Sequence, residues 1–385
     1  MNFRSSQRIP ELDGLRGTAI LIVVVFHAFF THSPILFPAP IFRVGQMGWC
    51  SIDLFFVLSG FLIGGILMDQ KKSESFFGPF YIRRFFRIIP AYAVSCFGFF
   101  AALRIFHLSG DLASHPPLPW YYYATFTQNI WSGIHHQLDL SSLGTTWSLA
   151  VEEQFYLTLP LLIRFVPDKK LIWIVCISIV GAPLFRVLCY LHDPAGWVPR
   201  FVLMPSQADA LMLGVAGAWL VRRPAAHEFL VSRPGLLHGL VGIFGGGLLL
   251  MLILGWQQSS TIMTLVGYTW IDFFWLSFLF FAVLHPGRWA GRMMRSEFLR
   301  WAGTISYAVY LIHAPILAAT QKFLLHQSYE MKNISDVMIT CLALGITTLV
   351  ALLSWYLFER PLLRYGHSVA SYEKPLQLAK AVKSS

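Results

Sequence analysis

The stretch LDGLRGTAILIVVVFHAFF, residues 12–30, decides the fold class of this protein. As a helix it rises about 1.5 Å per residue, so it can cross the hydrocarbon core of a bilayer, which is roughly 30 Å thick. The stretch is longer than the apolar core of a typical signal peptide, and no clear A-x-A cleavage site follows it. We therefore predict a retained first membrane helix.

The rest of the chain has a composition similar to that of this stretch. Of the 385 residues, 56% are hydrophobic and 12% are charged, whereas a soluble domain carries about 25% charged residues. So few charges cannot cover a soluble globule of this length, and the lipid bilayer is the expected partner. The formal net charge is +10. Because the Lys and Arg residues lie between apolar runs, this charge is a membrane-topology signal, and nucleic-acid binding is not expected.

Apolar runs of about 20 residues recur along the chain and predict an all-α, polytopic membrane helix bundle of about ten transmembrane helices. The predicted spans are Leu12–Phe30, Trp49–Met68, Ile88–His107, Trp147–Phe165, Leu171–Leu191, Ser206–Val221, Leu236–Gly255, Thr261–Leu284, Gly303–Leu325 and Asp336–Phe358. The fourth and sixth contain polar residues, so we expect them to face the bundle interior. Residues 1–365 then form one membrane domain, and residues 366–385 form a tail.

The distribution of positive charge predicts the orientation of the bundle. Placing both termini in the cytoplasm puts most of the 29 Lys and Arg residues on the inner side, as the positive-inside rule requires. The residues left on the outer side are Arg43, Arg104, Arg186, Arg200, Lys322 and Lys332. The five cysteines lie in or beside apolar runs without CxxC spacing, so we expect small buried side chains and no disulfide framework or metal site.

Each ionisable residue in the first span is expected to have a partner or a function, because placing a charge inside a membrane costs free energy. Arg16 and His27 are eleven residues apart, within about 20° of one helix face and roughly 16 Å apart along it. Asp13 is close enough in sequence to pair with Arg16. In a structural interpretation, Arg16 snorkels to the cytoplasmic surface and His27 is a hydrogen-bonded core histidine. In a functional one, Arg16 holds an anionic ligand and His27 is a general base.

A cluster of arginines precedes the third span in the sequence YIRRFFRIIP, residues 81–90. Arg83, Arg84 and Arg87 occupy one helical turn, and Pro90 follows them. Ordinary positive-inside charge is one explanation. Three arginines on one turn, with no lysine among them, also suit planar bidentate recognition of phosphate.

Carboxylates and a further histidine occur in two later spans. The fourth span opens as TTWSLAVEEQFY, which brings Glu152 and Glu153 near the outer edge beside Trp147 and Ser148. If these carboxylates point into the bundle, one of them can orient His27 or a bound hydroxyl. His313, in SYAVYLIHAPI of the ninth span, is either a hydrogen-bonded histidine before a proline kink or part of the same site.

The longest connection, residues 108–146, faces outward in this orientation and contains no Lys or Arg. Its aromatic and imidazole side chains are Trp120, Tyr121, Tyr122, Tyr123, Trp131, His135 and His136. An aromatic belt at the membrane interface explains them. A surface on which sugar rings stack is the alternative.

Several of these segments, in this order, resemble the acyltransferase 3 family of integral membrane acyltransferases. ELDGLRG followed by His27 is similar to the family's R-x10-H element, and GWCSIDLFFVLSGFLIG, with Asp53 and Ser59, to its second-helix signature. YIRRFFRIIP resembles its RRxxR element. WSLAVEEQFYLTLP is similar to its SLxxExxFY element, which matches Glu152 to the family's glutamate. ISYAVYLIHAPI and FERPLL resemble the last two helices, so the resemblance covers roughly residues 8–365.

The resemblance implies O-acylation of a carbohydrate or related glycoconjugate acceptor, with acyl-CoA, often acetyl-CoA, as the donor. Arg83, Arg84, Arg87 and Arg16 would bind the phosphates of coenzyme A. His27 would act as general base or carry a transient acyl group, and Glu152, or Glu153, would fix the imidazole or the acceptor. Some members carry an extracytoplasmic SGNH-like hydrolase domain. We expect no such domain here, and we expect the acyl group to be transferred directly to the acceptor.

Two other classes of membrane protein are compatible with the charged spans. A transporter or flippase would use His27 and Glu152 in a proton relay, but it needs no arginine triad on one turn, and the sequence has no internal repeat of the kind common in transporters. A non-catalytic scaffold would tolerate the loss of His27. The candidate acceptors are lipopolysaccharide, a secreted polysaccharide, peptidoglycan, a lipid-linked sugar and a small glycoside. The family's distribution implies a bacterial inner membrane.

Overall fold

The computed structural model describes residues 9–31, 37–105, 117–325, 331 and 333–370. Helices make up almost all of this described part, and it contains no β-strand. The all-helical membrane bundle predicted from the sequence is confirmed. Among the predicted features, Arg4, Arg8, His107, Lys332 and the tail beyond Ala370 lie outside the described residues.

Ten long helices correspond one to one with the ten predicted spans. They are α1 (Pro10–Val25), α2 (Ser51–Gln70), α3 (Phe77–Ile105), α4 (Trp147–Phe165), α5 (Asp168–His192), α6 (Ala208–Val221), α7 (Pro234–Ile253), α8 (Tyr268–Leu284), α9 (Glu297–Leu325) and α10 (Ile334–Ser354).

Short helical segments fill most of the connections between the long helices. The short α-helices are Ala39–Gln46, Trp120–Ala124, Gln128–His135, Val198–Val202, Pro224–Ser232, Trp289–Met294 and Arg360–Val369. The 3₁₀ turns are Met47–Cys50, Gly144–Thr146 and Met204–Gln207, and the π-helical turns are Phe26–Phe30, Met263–Gly267 and Trp355–Glu359. The helix Arg360–Val369 runs across the domain boundary predicted at residue 365, and that boundary remains a prediction.

Eight helical stretches in the described part are long and apolar enough to cross a membrane. The two long helices not among them are α4 and α6, which correspond to the two spans expected to face the interior. Helix α4 carries Glu152, Glu153 and Arg164, and α6 has 14 residues, 10 of which are buried. Helix α6 lies inside the bundle, as expected, whereas α4 turns its polar residues inward and exposes Leu157, Leu161 and Phe165 on its outer face.

Two helices begin earlier than their apolar runs predict. Helix α3 starts at Phe77, so the arginine cluster belongs to the same helix as Pro90. Helix α9 starts at Glu297, six residues before the predicted Gly303, and contains Pro315. Hydropathy marks only the part of a helix that suits lipid, and membrane helices tolerate an internal proline when neighbouring groups satisfy the freed carbonyl.

Glycines set the closest helix crossings of the bundle. A Cβ atom built on Gly60 of α2 would lie 1.9 Å from the carbonyl oxygen of Leu211 in α6, and one on Gly214 would lie 2.2 Å from the carbonyl oxygen of Val57. Helices α1 and α9 meet in the same way. There, a Cβ on Gly17 would lie 1.9 Å from the Leu299 carbonyl oxygen. Small residues let membrane helices approach backbone to backbone, which compensates for the absence of a hydrophobic driving force in lipid.

We expect Gly214→Ala to destabilise the bundle, because the new methyl group would push against the α2 backbone. Overpacking of this kind costs about 1–3 kcal/mol. Gly242→Ala is the matched control: the glycine lies on the exposed face of α7 with no atom within 4 Å of a built Cβ. There the substitution should leave stability unchanged or raise it by up to about 1 kcal/mol. Thermal unfolding in detergent measures both variants, and equal effects would contradict this account of the crossing.

Candidate active site

A cavity of about 90 Å³ opens between helices α1, α2, α3, α4 and α9. Six of the residues singled out from the sequence line it: Arg16, Ser59, Arg84, Arg87, Ser148 and Glu152. Three tyrosines, Tyr156, Tyr307 and Tyr310, line it as well. Residues from five helices therefore converge on one polar cavity inside an apolar bundle.

Glu152 is held by two hydroxyl groups. Ser59 Oγ donates to Glu152 Oε1 at 2.5 Å, and Tyr156, one helical turn further along α4, donates to Oε2 at 3.3 Å. The two hydroxyl oxygens are 3.1 Å apart. Because both carboxylate oxygens have a donor, the side chain is fixed in the cavity wall. This geometry explains why a serine on α2 and a tyrosine four residues after the glutamate belong to the site.

Three arginines surround this carboxylate. The Arg84 guanidinium lies over the ring of Tyr156, 5.5 Å from its centre, and the charges of Arg84 and Arg16 both act on Glu152. Arg16 also interacts electrostatically with Arg87 and with Asp13 on its own helix. One end of the cavity therefore carries more positive than negative charge. Such a site suits an anionic ligand with several oxygens.

Arg83, the third arginine predicted to bind phosphate, points elsewhere. It does not line the cavity, and its Nε donates to the carbonyl oxygen of Ala370 at 2.9 Å, at the end of the helix Arg360–Val369. Arg83 and Arg87 are one turn apart, but Arg83 faces the C-terminal helix. The structure thus brings two of the three clustered arginines to the cavity together with Arg16.

Tyr310 lies where the cavity meets α9. Its hydroxyl donates to the carbonyl oxygen of Thr145 and accepts a hydrogen bond from Ser148 Oγ at 2.6 Å. The ring of His313, one turn further along α9, is 6.1 Å from the Tyr310 ring. Tyr310 therefore separates the arginine-lined cavity from the histidines beyond it.

His27 and His313 form a pair outside the residues that line this cavity. His313 is fully buried, and its Nε2 lies 3.3 Å from His27 Nδ1. His27 itself is half-buried in the π-helical turn Phe26–Phe30, so the regular α-helix assumed for the first span ends at Val25. Turns of this type occur often at functional sites. In the described contacts, the partner that orients His27 is His313 and not Glu152.

The carbonyl oxygens around these rings determine which nitrogens carry protons. His313 Nδ1 contacts the carbonyl oxygens of Val309 and Tyr310 at 3.1 and 2.8 Å. Since a carbonyl only accepts, Nδ1 carries the proton and the neutral ring accepts at Nε2. His27 Nδ1, which contacts this Nε2 and the Val23 carbonyl oxygen at 3.0 Å, must then also carry a proton. Neutral His27 therefore has its basic lone pair on Nε2.

Trp147, Glu153 and Asp13 lie beside the cavity rather than in its wall. Trp147 packs its ring 4.5 Å from that of Phe201. Glu153 is half-buried, its Oε1 has no hydrogen-bond partner in the described part of the chain, and it interacts electrostatically with Arg84. Asp13 is buried on α1 one turn before Arg16. All three belong to the surroundings of the site.

Asp53 belongs to a second group of buried charges, in the half of the bundle predicted to be outer. Arg186, fully buried in α5, bonds both carboxylate oxygens of Asp209 at 3.2 and 2.7 Å. Asp53 and Asp272 are buried within electrostatic range of this pair. Among the described residues, neither oxygen of Asp272 has a hydrogen-bond donor. The assignment of Arg186 to the outer side is wrong, because its side chain lies inside the bundle.

Sequence reasoning missed Arg186, Asp209 and Asp272 as a group, as well as the tyrosines of the cavity. Arg186, Asp209 and Asp272 come from three different helices, so no local motif joins them. The signal available in the sequence was the presence of ionisable residues in the fifth, sixth and eighth spans, each of which calls for a partner. In the described residues, no cluster of three or more His, Cys, Asp or Glu side chains suits a metal ion.

The sequence matches a known protein family over most of its length. The model of a family described as "Acyltransferase domain" matches residues 9–356. The chain belongs to the acyltransferase 3 family. That match runs from the start of α1 to the end of α10 and includes all thirteen residues singled out from the sequence.

Within the acyltransferase 3 family, the curated relatives are bacterial proteins named for O-acetyl transfer. The peptidoglycan O-acetyltransferase OatA of Listeria monocytogenes is 28% identical over 94% of this chain and 57% of its own length. The putative peptidoglycan O-acetyltransferase YrhL of Bacillus subtilis is 25% identical over 93% of this chain and 55% of its own. The O-acetyltransferase OatA of Staphylococcus aureus is 26% identical over 98% and 61%.

This acyltransferase 3 chain therefore spans a little over half of the length of the curated relatives it matches. No solved structure matches it significantly.

The second charge group allows a test of burial energetics. Asp209→Asn removes the counter-charge of Arg186, and breaking a buried ion pair costs about 3–5 kcal/mol. Asp272→Asn is the matched control: it removes an equally buried carboxyl group that has no described donor, and it should leave stability unchanged or raise it. Thermal unfolding in detergent compares the two variants. A larger loss for Asp272→Asn than for Asp209→Asn would contradict the assignment of the ion pair.

Proposed function

We propose that this protein is a membrane O-acetyltransferase that moves an acyl group, acetyl in the first instance, from cytoplasmic acyl-CoA to a hydroxyl of a carbohydrate or glycoconjugate. One observation carries the proposal. Arg16, Arg84 and Arg87 converge on a cavity inside the bundle that also contains the Glu152 carboxylate and, at its far end, Tyr310 next to the histidine pair. Family membership and the names of the relatives support the same class of reaction.

The donor enters from the side on which α3 begins, which is cytoplasmic in the orientation predicted from the positive charges. Arg84 and Arg87 bind the phosphates of coenzyme A, and Arg16, one helix away, takes a further oxygen or the thioester end. Guanidinium groups suit this task because each offers several N–H donors in a plane to phosphate oxygens. Arg83, bonded to Ala370, has a supporting role at the edge of the entrance.

The transfer step takes place where Tyr310 and His313 meet the turn that carries His27. Nε2 of His27 removes the proton of the acceptor hydroxyl as its oxygen attacks the thioester carbonyl carbon. A new C–O bond forms, the C–S bond breaks, and coenzyme A leaves as the thiol after taking up the proton. His313 holds His27 in the required tautomer through the Nδ1 contact, as the orienting partners of catalytic histidines do.

Glu152 acts on the donor side of the site. Fixed by Ser59 and Tyr156, it balances the charge of Arg16 and Arg84 and shapes the passage between the phosphates and the thioester. It is favoured over Glu153, which does not line the cavity. Ser148 and Tyr310 hold the wall of this passage in place, because Ser148 donates to Tyr310 and Tyr310 donates to the Thr145 carbonyl oxygen.

The names of two of the three relatives specify peptidoglycan, which supports a glycan acceptor of this class. Glycan strands of peptidoglycan are therefore the first acceptor to test. A hydroxyl on such a polymer is reached from the outer side of a bacterial inner (plasma) membrane. The two substrates would then approach the histidine pair from opposite faces of the bundle.

Arg84→Ala and Arg87→Ala should each weaken binding of acetyl-CoA by about 10- to 100-fold, because a hydrogen bond to a charged group is worth about 1.5–3 kcal/mol. Arg292→Ala, which removes an exposed arginine on the same predicted side, should bind as the wild type does. Equilibrium dialysis with radiolabelled acetyl-CoA and purified protein in detergent measures this. Equal effects in all three variants would point to non-specific charge attraction.

His27→Ala should lower acetyl transfer by about 10²–10⁴-fold while acetyl-CoA binding is kept, because general-base catalysis contributes a factor of that size. Glu152→Gln should impair both binding and transfer, since it lies among the arginines. Release of the coenzyme A thiol and appearance of radiolabelled glycan measure transfer, and size exclusion checks folding. Undiminished transfer by His27→Ala would exclude the base assignment. Failure of the wild-type protein to bind acetyl-CoA would favour the transporter alternative.

A further inference from the structure

A second cavity, of about 350 Å³, lies at the end of the bundle predicted to be outer and has no part in the mechanism described so far. The residues on which the argument rests are Gln46, Trp49, Trp197, Trp256, Gln257 and Gln258, all of which line it. Three indole rings and three primary amides thus face one concavity. None of these residues was singled out from the sequence.

This combination of side chains has a recognisable chemical preference. An indole ring offers a broad apolar face with a polar N–H at its edge, and a glutamine amide both donates and accepts hydrogen bonds. A sugar ring presents apolar C–H faces and hydroxyl groups around its rim, so it can stack on the rings while the amides bind the hydroxyls. Aromatic residues of a membrane-interface belt, by contrast, need no concave arrangement with amides.

One wall of this cavity is built directly on the turn that carries His27. Gln46 Nε2 donates to the carbonyl oxygen of Phe30 at 2.5 Å. A Cβ atom on Gly48 would lie 2.6 Å from the side chain of Phe26, the residue before His27. The segment between Gln46 and Trp49 therefore packs against both ends of the π-helical turn Phe26–Phe30. The wall of the cavity therefore abuts the turn that carries His27.

The tryptophans are held in place by identifiable local structure. Helix α7 ends at Ile253 and is followed by Gly255, whose φ of 67° is left-handed. The Trp256 N–H donates to the Met251 carbonyl oxygen, and the Gly255 N–H donates to that of Leu252. This pair of bonds is the Schellman helix end, and it directs Trp256 into the cavity. Trp49 and Trp197 both pack against the ring of Phe201, at 6.3 and 5.8 Å.

The aromatic connection near residues 117–146 is a weaker candidate for stacking sugars, because several of its rings already have partners. Tyr123 is buried and donates to Asp139, and burial together with that carboxylate raises the pKa of its hydroxyl. Trp131 stacks on His135 with ring centres 4.4 Å apart. Trp120 remains exposed, but it lines neither of these two cavities.

We propose that this outer cavity is the acceptor site and binds the sugar rings of a glycan through the partly exposed Trp197 and Trp256, with the glutamine amides on its hydroxyl groups. The assignment rests on the O-acetyl transfer proposed above. It adds the location of the acceptor and the groups that recognise it. The acceptor hydroxyl would reach His27 past the Gln46–Trp49 wall.

Equilibrium dialysis of the full chain in detergent against radiolabelled chitotetraose, a soluble N-acetylglucosamine oligomer, tests the proposal. Trp197→Ala and Trp256→Ala should each weaken chitotetraose binding about 2- to 12-fold, since an aromatic stacking partner contributes about 0.5–1.5 kcal/mol. Trp256→Phe should keep most of the affinity. Trp173→Ala, which removes an exposed tryptophan of α5, is the matched control and should bind normally.

Acetyl-CoA binding, measured on the same samples, separates this inference from the proposed function. Loss of glycan binding with acetyl-CoA binding kept in Trp197→Ala and Trp256→Ala supports the site. Wild-type protein that binds acetyl-CoA but not chitotetraose overturns the acceptor site alone. Tryptophan-dependent glycan binding without acetyl-CoA binding overturns the donor assignment and leaves this site standing. Loss of glycan binding in Trp120→Ala but not in the two cavity variants also overturns the site.

Discussion

The bundle depends on backbone contacts that only glycine permits. Gly17 of α1 faces Leu299 and Gly303 of α9, and Gly14 meets the short helix Trp289–Met294, where a Cβ would lie 1.8 Å from the carbonyl oxygen of Met294. Because α1 lies so close to α9, Arg16 and His27 come within reach of the α9 residues Tyr310 and His313. The crossing of α2 and α6 at Gly60 and Gly214 likewise fixes the position of Ser59. It also brings Asp53 of α2 near Asp209 of α6 in the outer charge group. A wider spacing of either pair would separate the polar residues of the site.

Charges inside the bundle are arranged in two groups with different balances. Around Glu152, three arginines outnumber the carboxylates that line the cavity, which leaves positive charge for a ligand to neutralise. Around Arg186, three carboxyl groups meet a single guanidinium, and the ion pair with Asp209 is fully buried. Since unpaired charge is costly in this environment, each group constrains which helices can pack together. The first group also offers a reason for an anionic donor to enter the membrane domain.

Helix α1 and its π-helical turn connect the two cavities. The inner cavity reaches the turn through Tyr310 and His313, and the outer one through Gln46 and Gly48. In the proposed reaction, an acyl donor and a glycan acceptor approach one imidazole from opposite sides without sharing an entrance. Such an arrangement would keep the thioester away from bulk water on the outer side. It would also explain why a transferase of this kind is built as a membrane bundle.

The number and order of the helices, and their membrane character, could be predicted from the sequence alone, and so could the family. Apolar length and motif spacing are local properties, so each can be read within one segment. The sequence also led to Arg16, Arg84, Arg87, Ser59, Ser148 and Glu152, which the fold brings into one cavity. Three contacts became visible only in the folded bundle. Arg83 bonds Ala370, His27 pairs with His313, and Arg186 forms an ion pair with Asp209. The fold also brought three distant tryptophans together. Each of these outcomes depends on how helices are rotated and how closely they cross, and neither hydropathy nor spacing within one segment specifies that.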